Sequence, residues 1–431
     1  MRITAVLLAA LALAGCTLSS EVTVSPLRML PSDIERGSDL ESMVRKADYL
    51  RAMEMSADGR TRKSSAELAA IGAAFLAAGR LDLARTNLRE ALDLKPFRTK
   101  YGQIAWDLAQ VEYMANNYES SLDWANIAGQ HDLTVRQWHL DYLKSLQGTR
   151  VYQFSGEASA RLPFRFGRPD VPRVTARAND REVEAIIDSG AVVSIVSRRL
   201  AASVNVRSLG NFEGTFYGLL GEPITVRFGI LDKMQLGGVT IANVPVAIMP
   251  DEKMRFLISK RDGEEFHMDF LIGSNLLKEF RLELDFDRRR ATFKVLTPAD
   301  RNPDPEQNLF FQGFRPYVRG AINRKGWFLF VLDTGSEITF LNDARINQLP
   351  VDKIFGAHTA MLQGLGGAMK RGAKVENVEL GFGKWGGKFK TLPMYSSADK
   401  EHAVGIIGQN FIKNFNVVID FGKMKMELER R

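Results

Sequence analysis

The chain has 431 residues, 45% apolar and 25% charged, with a formal net charge of +7. That length exceeds one ordinary core and predicts two or three globular domains, which excludes a disordered chain. Its basic residues are spread along the sequence, so no nucleic-acid function is read from them, and its single cysteine, Cys16, excludes an internal disulfide or a cysteine metal cluster.

At the N-terminus, Met1-Arg2 precedes ITAVLLAALALAG, an apolar run too short to span a membrane and closed by Cys16. This is the pattern of a signal peptide. Leu13-Ala14-Gly15-Cys16 resembles a bacterial lipobox. The resemblance implies a signal peptide over 1–15, lipidation of Cys16 as a membrane anchor, and a tether over 16–37 on a periplasm-facing lipoprotein. Thr17 stands where Asp would mark inner-membrane retention, which favours the outer membrane of a Gram-negative bacterium. A plain secretory signal with a chance Cys is the alternative.

Residues 38–150 have helical, Ala/Leu-rich periodicity. Within AELAAIGAAFLAAGRLDLARTNLREALDLKP, Gly72, Phe75, Gly79, Ala84, Leu88, Ala91 and Pro96 follow the small, aromatic and large pattern that two antiparallel helices need to approach closely. The stretch resembles a tetratricopeptide repeat. A poorer copy, WDLAQVEYMANNYESSLDWANIAG, has Ala109, Tyr118, Ser121, Ala125 and Ala128 in comparable places. The tetratricopeptide resemblance implies a concave surface that recruits a protein partner or substrate; a generic helical-hairpin domain is the alternative.

After Gly148 short β-prone runs replace the helices, separated by Gly, Pro and Asn/Asp. Two similar β-rich halves are expected, over 160–297 and 308–431, joined by a Pro-rich linker over 298–307. The stretch QNLFFQG (307–313) resembles a viral-protease tag site but lacks its initial Glu and runs into a strand, so it is read as native sequence. The halves are copies. IIDSG ending at Gly190 answers VLDTG ending at Gly335, and LIGSNLLKEFRLELDFD aligns without a gap on IIGQNFIKNFNVVIDFG. Gly273/Gly408, Asn275/Asn410, Lys278/Lys413, Phe280/Phe415 and Asp285/Asp420 correspond in that alignment.

In each copy an apolar strand leads into Asp, a hydroxyl residue and Gly. A Gly-rich hairpin follows, and then two apolar residues and Gly open a short helix. This context resembles the retropepsin and pepsin aspartic-protease superfamily, over roughly 165–431. The resemblance implies a multidomain α and β chain: a helical tetratricopeptide-like domain, then two homologous all-β lobes in a bilobal aspartic-protease fold. It makes Asp188 and Asp333 the catalytic dyad, supported by Ser189, Gly190, Thr334 and Gly335. Ile272-Gly273 and Ile407-Gly408 would back the loops, and Tyr217-Gly218 and Gln363-Gly364 would form flaps over a peptide or protein substrate. Two carboxylates held about 3 Å apart share one proton, so one activates a water while the other polarises the scissile carbonyl, with no metal or cofactor. Tyr217 either covers the substrate or packs on its own strand.

Rival chemistries lack their residues. There is no G-x-S-x-G, GFGKWGGKFK lacks the glycine spacing of a phosphate loop, and the five histidines lack metal-ligand spacing. The expected activity is therefore an aspartic endopeptidase of the cell envelope. Two alternatives stay open: a non-cleaving peptide-binding or scaffold lipoprotein, and lobes that pair between molecules.

Overall fold

The computed structural model describes residues 8–9, 13–14, 22–30, 39–56, 63–218, 221–259, 264–351, 360–363, 369–395 and 403–431. Cys16, Thr17 and Gly364 lie outside the described residues. Among the described residues no helix is long and apolar enough to cross a membrane.

Among the described residues, seven helices follow the first short strands: α1 (Leu40–Arg45), α2 (Tyr49–Ser56), α3 (Ser65–Ala77), α4 (Leu81–Asp93), α5 (Arg98–Met114), α6 (Tyr118–Gln130) and α7 (Gln137–Ser145). Helix α3 starts where Ser64 and Glu67 form a reciprocal capping box, satisfying backbone N–H groups that no helical carbonyl can reach. Its hairpin with α4 is tight because Gly72 faces Leu88; a Cβ there would lie 2.5 Å from Leu88 Cγ. Gly102 does the same for α5 and α6, since a Cβ would stand 2.4 Å from the His131 carbonyl oxygen. Small residues thus set the hairpin spacing.

The helical layer straps both β lobes. Met43, Ala52, Ala74 and Ala78 share a buried cluster with Phe310, Tyr317 and Leu329 of the second lobe. Trp106, Tyr142 and Leu143 share another with Phe228 and Ile230 of the first. Residues 22–26, within the expected tether, form a strand paired with Trp385–Tyr395, and Val22 and Val24 pack on the core.

Each lobe repeats one topology. In the first, hairpin strands Arg173–Ala178 and Arg181–Ile187 lead to the Asp188 turn, and Ser194–Ser197 runs parallel to Val239–Met249. Phe270–Ile272 then inserts parallel to Arg181–Ile187 and antiparallel to Ser194–Ser197. In the second, hairpin strands Arg315–Ile322 and Lys325–Leu332 lead to the Asp333 turn, and Phe340–Asn342 runs parallel to Trp385–Tyr395. Gly405–Ile407 inserts beside Lys325–Leu332 and Phe340–Asn342 in the same two senses. Leu309–Gln312, from the tag-like stretch, is a buried strand paired with Arg315–Val318.

Below the two turns the lobes share a sheet. Phe280–Asp285 pairs antiparallel with Phe415–Asp420, from Arg281 opposite Asp420 to Leu284 opposite Val417. Both strands alternate buried and half-buried residues, as strands with one face on a core do.

A buried charge cluster joins the helices to the first lobe. Lys278 Nζ donates to the Met114 carbonyl (3.2 Å) and to Asn116 Oδ1 (2.8 Å) in the α5–α6 turn. Glu279 accepts from Asn116 Nδ2 (3.0 Å) and is paired with Lys278 and Arg301. Glu279→Ala would strand the Lys278 charge in the interior, so a loss of about 3–5 kcal/mol in denaturant-measured stability is expected. Replacing both partners by Leu and Met should cost much less.

Candidate active site

The parallel insertions position both acidic turns. The Asp188 amide donates to the Ile272 carbonyl (3.0 Å), and the Asp333 amide donates to the Ile407 carbonyl (3.1 Å). Gly273 and Gly408 must lack side chains here. A Cβ would fall 2.5 Å from the Val193 carbonyl carbon in one lobe and 2.4 Å from the Ile338 oxygen in the other.

The two turns lock into each other by reciprocal bonds. Ser189 N–H donates to Thr334 Oγ1 (3.0 Å), and Thr334 N–H donates to Ser189 Oγ (3.1 Å). Each hydroxyl then donates into the opposite lobe, Ser189 Oγ to the Leu332 carbonyl (2.6 Å) and Thr334 Oγ1 to the Ile187 carbonyl (2.7 Å). All four groups are buried, where hydrogen bonds left unmade are costly. The lock fixes the distance between the lobes at the site.

Asp188 and Asp333 are both fully buried, at 0% exposure, with their carboxyls within hydrogen-bonding reach of each other. Each turn's glycine lies against the opposite carboxyl. A Cβ on Gly190 would sit 2.4 Å from Asp333 Cγ, and one on Gly335 would sit 2.5 Å from Asp188 Cγ. Oδ1 of Asp188 accepts the Ala191 N–H and Oδ1 of Asp333 accepts the Gly335 N–H, both at 3.0 Å. Oδ2 of each accepts no backbone or side-chain donor from the described residues, which leaves these two atoms for the shared proton and a substrate.

Burial pushes both carboxyls above the ordinary carboxylate range. Asp188 is raised to about 7, with the Ala191 and Gly190 N–H groups favouring its charged form. Asp333 is also raised well above the ordinary value, first by burial and then by the Asp188 charge, against the Arg315 charge and the Gly335 N–H. The pair titrates as a unit.

The structure also gathers residues that the sequence reading did not single out for this site. Ser194 Oγ and Thr339 Oγ1 accept the N–H of Gly273 (3.1 Å) and Gly408 (3.0 Å), while Asn275 and Asn410 side chains accept the Ser194 and Thr339 N–H groups. Ser274 Oγ donates to the Ser189 carbonyl, and Gln409 Nε2 donates to the Thr334 carbonyl (2.7 Å). Arg315, buried at the head of its strand, is a cation close enough to lower both carboxyls. Matching positions in the two copies could have exposed Ser194 and Thr339; nothing local marks Arg315.

The flaps differ. Tyr217-Gly218 end a strand, Gly214–Gly218, that pairs with Pro223–Leu236. The Tyr217 hydroxyl accepts from Arg136 Nη2 (3.4 Å), outside the lobe. Gln363 ends a strand, Ala360–Gln363, paired with Met369–Phe382. Both flap strands also pair with two-residue strands of the N-terminal apolar run, Leu8–Ala9 and Leu13–Ala14.

These features are those of a bilobal site with one acidic turn from each of two duplicated β lobes. Residues 174–276 match the family model described as aspartyl protease, and residues 312–420 match the one described as retroviral aspartyl protease. The two matches, one per lobe, make both halves of the β region similar to retropepsin-like aspartyl proteases. A solved structure of a retropepsin-like aspartic protease from Rickettsia conorii is similar at 16% identity over 33% of this chain and 95% of that chain, with a TM-score of 0.22. No curated protein matches.

Proposed function

We propose that the chain is an aspartic endopeptidase of the bacterial cell envelope. The observation that carries this reading is the pair of buried carboxyls, Asp188 and Asp333, held within hydrogen-bonding reach by the Ser189–Thr334 lock. The ionised member of the pair takes a proton from a water bound between the carboxyls, and that water's oxygen bonds to the scissile carbonyl carbon. The protonated member hydrogen-bonds the carbonyl oxygen as charge develops on it. Collapse of the tetrahedral species passes a proton to the amide nitrogen and breaks the C–N bond, and the dyad regains its single proton.

The substrate is an extended peptide laid between the flaps by strand addition. Support comes from the flap strands' pairing with short strands of the chain's own apolar N-terminus. The helical domain recruits a protein partner or substrate; Leu83, Leu94 and Phe97 stand exposed on and beside α4, with Phe97 91% exposed. Lipidation of Cys16 anchors the protein, facing the periplasm, at the outer membrane.

A peptide library incubated with the whole chain tests the activity, with products mapped by mass spectrometry. Internal cuts are expected, each new carboxyl carrying one oxygen from labelled water. A library left intact, yet retained by the protein, would instead make the chain a non-cleaving peptide binder.

The pH profile follows from the dyad. Catalysis needs one ionised and one protonated carboxyl, so kcat/KM should rise as the pair loses its first proton, near pH 7, and fall as it loses the second at higher pH. The optimum is therefore expected at or above neutrality, not in strong acid. Arg315→Met removes a cation that favours both charged forms, so both limbs should move to higher pH.

A further inference from the structure

The first flap is held from outside its own lobe. Arg136, the residue before α7, donates Nη2 to the Tyr217 hydroxyl at 3.4 Å, and its guanidinium carbon lies 5.4 Å from the Tyr217 ring centroid. Two residues on, the Trp138 indole stacks on Phe228, with centroids 5.8 Å apart and planes 14° apart, and lies 6.2 Å from Phe216 of the flap strand. Tyr142, one turn further along α7, packs on Phe228 at 4.9 Å. Gly214 at the flap's base is what lets α7 come so close; a Cβ there would lie 2.8 Å from Phe228 and 3.1 Å from Trp138.

Helix α7 is itself braced. His139 is buried beside Trp106 of α5, with ring centroids 5.3 Å apart. The α5–α6 turn is fastened to the first lobe by the Lys278–Glu279 cluster. A flap hairpin alone is a marginal element, and such segments are drawn from the least stable part of a fold. Fixing its ring face and its tyrosine tip to a braced helix changes that.

We propose that the helical domain positions the first flap. Arg136 and Trp138 are positioning residues that hold Tyr217 and Phe216 in the closed arrangement, and lifting the flap to admit a peptide requires the Arg136–Tyr217 contact to break. This rests on the peptidase reading for its effect on turnover, but the clamp itself can be read without substrate.

Two measurements on the whole chain test it, in Arg136→Ala, Arg136→Lys, Trp138→Leu and Trp138→Phe. Hydrogen exchange of the amides of residues 214–218 should quicken about tenfold in Arg136→Ala and Trp138→Leu, the factor for one contact of ordinary strength. It should stay near wild type in Trp138→Phe, which keeps a stacking ring, and in Arg136→Lys, which keeps the cation. Kinetically, Arg136→Ala and Trp138→Leu should change KM by about fivefold or more while kcat moves less than about twofold, because the dyad is untouched. A merely structural contact would give neither the KM-against-kcat split nor the rescue. Unchanged flap exchange in both Arg136→Ala and Trp138→Leu overturns the proposal, as does a kcat loss at constant KM. If no peptide is cut by the wild-type chain, the peptidase reading fails, and exchange still decides the clamp.

Discussion

Asp188→Asn and Asp333→Asn are each expected to abolish cleavage, by about a thousandfold or more, since general acid and base groups contribute about 10²–10⁴-fold and these two act as a unit. The same substitutions should stabilise the fold at neutral pH. Both carboxyls are raised above the free-Asp value of 3.8 in the folded chain, so the folded state holds their protons more tightly than the unfolded state does. Their favourable contribution is complete below pH 3.8 and is lost as pH climbs through the folded values. At pH 8 the wild type therefore carries ionisation strain that an Asn variant lacks. Thermal melts should show a higher Tm for the Asn variants at pH 8, with the gap closing toward pH 4. Wild-type cleavage rates in either variant would end the assignment of the dyad.

Gly190→Ala and Gly335→Ala carry the second large effect. Neither glycine has room toward the opposite carboxyl: the added carbon would stand 2.4–2.6 Å from Asp333 atoms in one case and 2.5–2.9 Å from Asp188 atoms in the other. The turns cannot slide apart to relieve this, because Ser189 and Thr334 bind them together through both backbone amides and both hydroxyls. The carboxyl must swing instead. Displacing a reacting group by about 1 Å costs about 100-fold in rate, so kcat should fall by about that factor while the chain remains folded by circular dichroism. Near-normal turnover in Gly335→Ala would mean that the close approach is irrelevant to chemistry.

Much of the β region could be read from sequence because it is written twice. IIDSG and VLDTG end matching strands, and LIG and IIG insert behind them in the same sense. Duplication also placed Asn275 against Asn410, although their grip on Ser194 and Thr339 needed coordinates. Features made by one copy alone were out of reach. Arg315 comes close enough to lower both carboxyls, a proximity that no local pattern records. Arg136 lies between two helices and reaches Tyr217 across 81 residues. The first helical hairpin followed from small residues such as Gly72, whereas Gly102's part in the second was not singled out, and amphipathic periodicity does not say that both lobes lie under the helical layer.

Both halves belong to one continuous chain, and the shared sheet of Phe280–Asp285 and Phe415–Asp420 joins them. A site built by two identical subunits repeats every substitution on each side of its axis. Here the sides diverge independently: Ser189 faces Thr334, and Tyr217 in one copy corresponds in sequence to Gln363 in the other. With that repetition gone, each half can be tuned without disturbing its twin.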